Sequence, residues 1–167
     1  LGWSTTTGDP EGEELESSPV PTLENIEEVL AGFTGKQMQT PPAYSAVKVA
    51  GKALYKYARK GEKVEVKARE IEVYSMSLIE ATADKLRVEI RCSRGTYARV
   101  LAEDIAVKFG THGHLVQLRR LQSGPFEIDQ AVDMPGLGVI AAGMPDWAKV
   151  FSREGERVKW LPRDEVC

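Results

Sequence analysis

The stretch Leu86-Arg-Val-Glu-Ile-Arg-Cys92-Ser93 decides the fold class. Leu86, Val88, Ile90 and Cys92 alternate with Arg87, Glu89, Arg91 and Ser93. A period of two places the apolar set on one face, which predicts a half-buried strand. Upstream, residues 71–79 are rich in β-branched and aromatic types, and Ala83-Asp84-Lys85 lies between the two runs, so the pair reads as an antiparallel hairpin. Downstream, Tyr97, Val100, Leu101 and Ile105 recur at helical spacing, with Thr96 placed to cap the helix and Gly110 beyond its end. An earlier helix is expected from Ile26, Val29, Leu30 and Phe33, with Thr22 as cap and Gly35 as stop. Residues 8–22 read as a loop, and 114–121 as a further strand ended by Pro125. Strands interrupted by helices, with one clear hairpin, imply an α+β domain on a largely antiparallel sheet.

The chain has 167 residues, enough for one compact domain with a real core. Charged residues make up 28% and hydrophobic ones 42%, as in globular proteins, and no apolar run reaches membrane-spanning length. Two cysteines, Cys92 and Cys167, make no disulfide framework, so a cytoplasmic location is expected. The net charge of −3 argues against nucleic acid, but its distribution argues for it. Residues 1–30 hold eight acids and no Lys or Arg. Between positions 48 and 69 there are eight Lys or Arg against two Glu, a local +6 interleaved with Tyr55 and Tyr57. That segment reads as a surface that grips RNA phosphate, with Lys48, Lys52, Lys56, Arg59, Lys60, Lys63 and Arg69 as contacts. Taken alone it also reads as a solvated amphipathic helix.

Several motifs stand in order along the chain. Leu1-Gly2 and Thr5-Thr-Thr7-Gly-Asp9-Pro-Glu-Gly12 come first, then Phe33-Thr-Gly35 and Gln39-Thr-Pro-Pro-Ala-Tyr-Ser-Ala-Val-Lys48. Cys92-Ser-Arg-Gly-Thr-Tyr-Ala-Arg99-Val-Leu-Ala-Glu-Asp104, Gln117-Leu-Arg-Arg-Leu121 and Ser123-Gly-Pro-Phe126 follow. The ordered set resembles the TruB family of tRNA pseudouridine-55 synthases, from Gly2 to about Val132, although that family usually has an Asp where Thr6 stands.

The resemblance implies the pseudouridine-synthase fold, with residues 1–132 as part of the catalytic domain and 133–167 as an extension of unknown role. It implies isomerisation of the T-loop uridine of tRNA by base flipping, glycosidic cleavage and reattachment through C5. No cofactor and no metal are implied, and a monomer acting on the T-arm stem-loop is expected. Arg99 matches the family's active-site arginine, which pairs with the catalytic aspartate; from spacing alone it is also an ordinary surface arginine. Leu118 and Tyr97 would line the base pocket, and Arg119 would touch RNA; Leu118 and Tyr97 also read as core. His112 and His114 form only a weak metal signal, because no third ligand accompanies them.

The family's nucleophile is an Asp in Gly-x-Leu-Asp-Pro-x-Ala-x-Gly. The single Asp-Pro here, Asp9-Pro10, stands in a different context, Thr-Gly-Asp-Pro-Glu-Gly. The carboxylate that Arg99 serves is therefore expected upstream of Leu1, and these 167 residues by themselves are expected to form no pseudouridine. Two other readings stay open: a non-enzymatic RNA-binding module without the nucleophile, and a protein-contact domain using the acidic residues 1–30.

Overall fold

The computed structural model describes residues 1–131 and divides the chain after Leu118. The expectation for 133–167 lies outside the described residues. In the first unit the elements run β1 (Trp3–Thr5), β2 (Glu14–Ser17), α1 (Ile26–Ala31), β3 (Gly35–Gln39), β4 (Lys48–Val49), β5 (Lys52–Ala53), α2 (Leu54–Ala58), β6 (Arg69–Ala81), β7 (Leu86–Cys92) and α3 (Ala98–Lys108). The second unit is described only as a hairpin of β8 (Gln122–Ser123) and β9 (Phe126–Glu127), then a 3-10 turn at Ile128–Gln130. Pro125 stands in that hairpin's turn rather than at the end of a strand over 114–121; residues 112–121 form neither helix nor ladder. Among the described residues no helix is long and apolar enough to cross a membrane.

The centre is a three-stranded antiparallel sheet, ordered β3-β6-β7. Its apolar face carries Ile71 and Val73, packed against Leu30 and Phe33 from the α1 region and Leu101 and Ile105 of α3. Val73 and Leu101 are wholly buried, each worth roughly 1.5–3 kcal/mol of apolar transfer. β7 keeps the alternation read from its sequence, and the hairpin closes where expected, with Thr82 N–H donating to the Lys85 carbonyl at 2.9 Å.

β6 is less regular. Its register against β7 shifts between Val73 and Ser75 and again between Leu78 and Glu80. Tyr74 and Ile79 are the extra residues, 56% and 53% exposed. The first bulge changes strand parity, so that Ile71 and Val73 are followed on the core face by Met76 and Leu78.

Four local expectations need correction. α1 ends at Ala31 with Gly32 as its C-terminal cap, and Gly35 opens β3 instead of stopping the helix. α1 begins after Asn25, which adopts the left-handed conformation (φ 52°), and Thr22 does not cap it. α3 begins after Tyr97, not Thr96; the Thr96 hydroxyl turns back to the Ser93 carbonyl at 2.8 Å. Tyr97 therefore sits at the helix start and not on its apolar stripe. Residues 8–22 are also not all loop, because Glu14–Ser17 pairs antiparallel with β1. All four β2 residues are exposed, which removes the alternation that would have revealed the strand.

Candidate functional site

Arg99 is the second residue of α3, and its side chain is 24% exposed. A cation in a helix's first turn is disfavoured by the helix dipole unless acceptors surround it. Here they do. Nη1 donates to the Thr7 carbonyl at 2.8 Å and to Asp9 Oδ2 at 3.0 Å, and Nη2 donates to the Tyr44 carbonyl at 2.8 Å. One guanidinium thus joins the β1–β2 turn, the chain after the Pro-Pro pair and the start of α3.

Each arm of this junction has a local cause. In the β1–β2 turn, Thr7 Oγ1 donates to Asp9 Oδ1 at 2.6 Å, and the Glu11 N–H donates to the same oxygen at 3.2 Å. The Thr7 hydroxyl first, then the Glu11 amide and Arg99, hold the Asp9 carboxyl below its ordinary value. Gly8 has φ +72°, and a Cβ there would fall on Glu103 Oε1 and beside Arg99 Cβ, so the turn needs glycine to lie against α3.

Gln39 fixes the helix start. It ends β3, is 5% exposed, and offers its amide as a fork: Oε1 accepts from Tyr97 N–H at 2.8 Å, and Nε2 donates to the Tyr97 carbonyl at 3.2 Å. Pro41 and Pro42 then force an extended path that delivers the Tyr44 carbonyl to Arg99.

Glu103 lies one helical turn beyond Arg99 and is half-buried. Burial, reinforced by the neighbouring Asp104 and opposed by Arg99, raises its carboxyl above the ordinary 4.5. A carboxyl raised on folding adds stability below its unfolded value and loses it as pH climbs through the folded value. Glu103→Gln is therefore expected to be more stable than wild type in thermal unfolding at pH 7, with the gap closing toward pH 4. A Gln variant of equal or lower stability at pH 7 would contradict this.

The basic segment forms a separate surface. β4 and β5 make a hairpin around Ala50 and Gly51, both at positive φ, and α2 follows directly. Lys48, Lys56, Arg59, Lys60, Lys63 and Arg69 are exposed. Lys52 lies 3.9 Å above the Tyr57 ring and pairs with Glu62 at 3.2 Å, while Arg59 lies 5.4 Å from the Tyr55 ring centre. The Tyr57 hydroxyl donates to the Val49 carbonyl at 3.1 Å and ties α2 to its hairpin.

Leu118, Arg119, His112 and His114 are the other residues selected from the sequence. Leu118 is 64% exposed, and Arg119 is exposed in the second unit. His112 approaches Glu16 at 3.6 Å, whereas the His114 ring lies tilted by 48° against Trp3, with ring centroids 5.0 Å apart. Among the described residues no three His, Cys, Asp or Glu side chains converge to hold a metal ion.

Residues 1–98 match the family model described as TruB family pseudouridylate synthase (N terminal domain), which is more than half of the chain. The chain belongs to the TruB family. Residues 99–142 match the tRNA pseudouridylate synthase B C-terminal domain, so the boundary between the two family models falls immediately before Arg99. This TruB chain is 47% identical over 140 residues to the tRNA pseudouridine synthase B of Francisella philomiragia subsp. philomiragia, covering 82% of this chain and 46% of that protein. It is 50% identical over 131 residues to that of Chromohalobacter salexigens, covering 77% and 43%. It thus spans a little under half the length of these relatives. A chain from the crystal structure of a Cbf5-Nop10-Gar1 complex superposes with a TM-score of 0.56 at 25% identity, over 84% of this TruB chain and 35% of that one. The α+β pseudouridine-synthase fold follows from these likenesses.

Sequence reasoning singles out Arg99 but looks for its carboxylate partner upstream of Leu1. Within this chain the partner is Asp9, ninety positions away. Gln39 enters the sequence reading only as the first letter of a motif; its signal is a polar residue closing a strand immediately before a Pro-Pro turn.

Proposed function

We propose that this TruB chain works within a tRNA pseudouridine synthase that converts the T-loop uridine of tRNA to pseudouridine. The observation that carries the reading is the state of Arg99. A guanidinium has five N–H donors. Three bonds are made within the chain, to Thr7, Asp9 and Tyr44, which leaves two N–H groups uncommitted among the described residues. The guanidinium is thereby held rigidly at the start of α3, with donors to spare for a second carboxylate. A pre-aimed arginine is what a catalytic aspartate requires if it is to stay ionised and directed at the sugar.

On this reading Asp9 is a positioning residue. Both of its oxygens are already engaged, Oδ1 by Thr7 and Glu11 and Oδ2 by Arg99, so it is poorly placed to attack. The nucleophile is an aspartate that Arg99 receives, and the 167 residues alone form no pseudouridine. Tyr97, held by Gln39, and the exposed Leu118 supply apolar surface to the flipped uracil. Residues 1–132 belong to the catalytic domain, and no cofactor takes part.

Lys48, Lys52, Lys56, Arg59, Lys60, Lys63 and Arg69 grip the T-arm backbone, and Arg119 binds a further phosphate. Reversing Lys52, Lys56 and Lys60 to Glu should weaken tRNA binding and flatten the plot of log affinity against log salt. The slope should fall by about 2–3, at roughly 0.9 for each phosphate that is no longer neutralised. An unchanged slope would remove the RNA-gripping role.

A further inference from the structure

We infer that the cleft beside α2 is a nucleobase-stacking site with Tyr55 as its platform, and not merely a patch of positive charge. The inference rests on the RNA-gripping reading and refines it. The cleft is open, about 600 Å³ in volume, and lined by Lys52, Tyr55, Lys56, Arg59 and Lys60. Four of those five residues are cationic, so Tyr55 supplies the aromatic part of its wall. The depression is shallow and open to solvent, so a base would lie against its wall rather than inside it.

The two tyrosines of α2 divide their work. Tyr57 is structural: its hydroxyl is spent on the Val49 carbonyl and its ring lies under Lys52. The Tyr55 side chain makes no comparable bond. Its backbone N–H donates to the Ser45 carbonyl at 3.1 Å, which anchors the start of α2, and Arg59 lies over the ring at 5.4 Å. An aromatic ring and a guanidinium in contact, rimmed by lysines, are the parts that single-stranded nucleic acid uses. Phosphates go to the cations and an unpaired base goes to the flat surfaces. An unstacked base fits the cleft; a base kept inside a duplex does not reach it.

The test separates stacking from charge. The 167-residue chain would be titrated by fluorescence anisotropy with a T-arm hairpin, with a single-stranded RNA, and with an abasic oligonucleotide of equal length, at several salt concentrations. Tyr55→Leu should lose roughly 5- to 150-fold in affinity for the two base-bearing RNAs, as deletion of one base–aromatic stack implies. Its affinity for the abasic strand and its salt slope should match wild type. Tyr55→Phe and Tyr55→Trp should bind like wild type. Equal RNA affinity for Tyr55→Leu and wild type would overturn the inference. So would a parallel loss on the abasic strand, which would make Tyr55 only a support for the surrounding charges. If Tyr55→Leu fails to fold, Tyr55→Phe and Tyr55→Trp compared on RNA and abasic strands decide the matter, because a stacking site must prefer RNA in both. The parent reading fails separately, if Lys56→Glu and Lys60→Glu leave the salt slope unchanged.

Discussion

Arg99→Lys, placed in a protein that carries a complete TruB catalytic domain, should lower single-turnover pseudouridine formation on a T-arm hairpin by about a hundredfold while leaving RNA affinity nearly intact. Lysine keeps the charge and loses the planar fork. Its single ammonium cannot reach Thr7 O, Asp9 Oδ2 and Tyr44 O from the positions two Nη atoms now occupy and still serve a second carboxylate. The charge-assisted hydrogen bond that lysine can then no longer offer a second carboxylate is worth about 1.5–3 kcal/mol. At about 1.36 kcal/mol per factor of ten this corresponds to the stated loss. Arg91→Lys, on an exposed position of β7, is the control. Near-normal turnover in Arg99→Lys, or equal damage from Arg91→Lys, would reduce Arg99 to an ordinary cation.

Leu101→Ala should destabilise the fold by about 3 kcal/mol, within the roughly 2–5 kcal/mol range for large-to-small changes in packed cores. Leu101 has no exposed surface and belongs to the cluster joining α3 to Ile71, Val73, Leu30 and Phe33. Val107→Ala, 65% exposed on the same helix, should stay within about 0.5 kcal/mol of wild type. Urea titration measures both, with the slope m expected to be unchanged. A Leu101→Ala midpoint equal to that of Val107→Ala would mean that α3 does not depend on this packing.

The parts legible in the sequence are those governed by a single local period. β7 reads correctly because one face is partly buried and the other solvated along its whole length. α3 reads correctly at Leu101 and Ile105, and so does the position of Arg99 off their stripe, while Tyr97 falls outside it. What escapes is decided by partners distant in the chain. The parity change at Tyr74 exists only because β7 opposes two residues of β6 with one of its own. β2 has no buried face, so nothing in its composition marks it as a strand. The start of α3 lies one residue beyond the expected cap because Gln39, fifty-eight positions earlier, takes the Tyr97 amide. Residues 114–121 have strand-like composition but form no ladder among the described residues; Leu115 N–H donates to the Gly8 carbonyl, an isolated bond beyond the end of β1. Arg99 is found without Asp9 for the same reason: a charge pair ninety positions apart leaves no trace in local spacing.

The Arg99 junction also sets the order in which this chain can assemble. The β6–β7 hairpin closes across a tight turn from Thr82 to Lys85, a microsecond event for an isolated hairpin. The bonds from Arg99 to Thr7, Asp9 and Tyr44 bridge separations of 92, 90 and 55 residues. Contacts that distant incur loop-closure entropy before they return any stability, so they form late. The hairpin can therefore be native while the guanidinium is still unclaimed. The candidate catalytic arginine thus locks after the hairpin, among long-range joints that also include the still more distant bonds from Gly2 N–H to the His112 carbonyl and from Leu115 N–H to the Gly8 carbonyl.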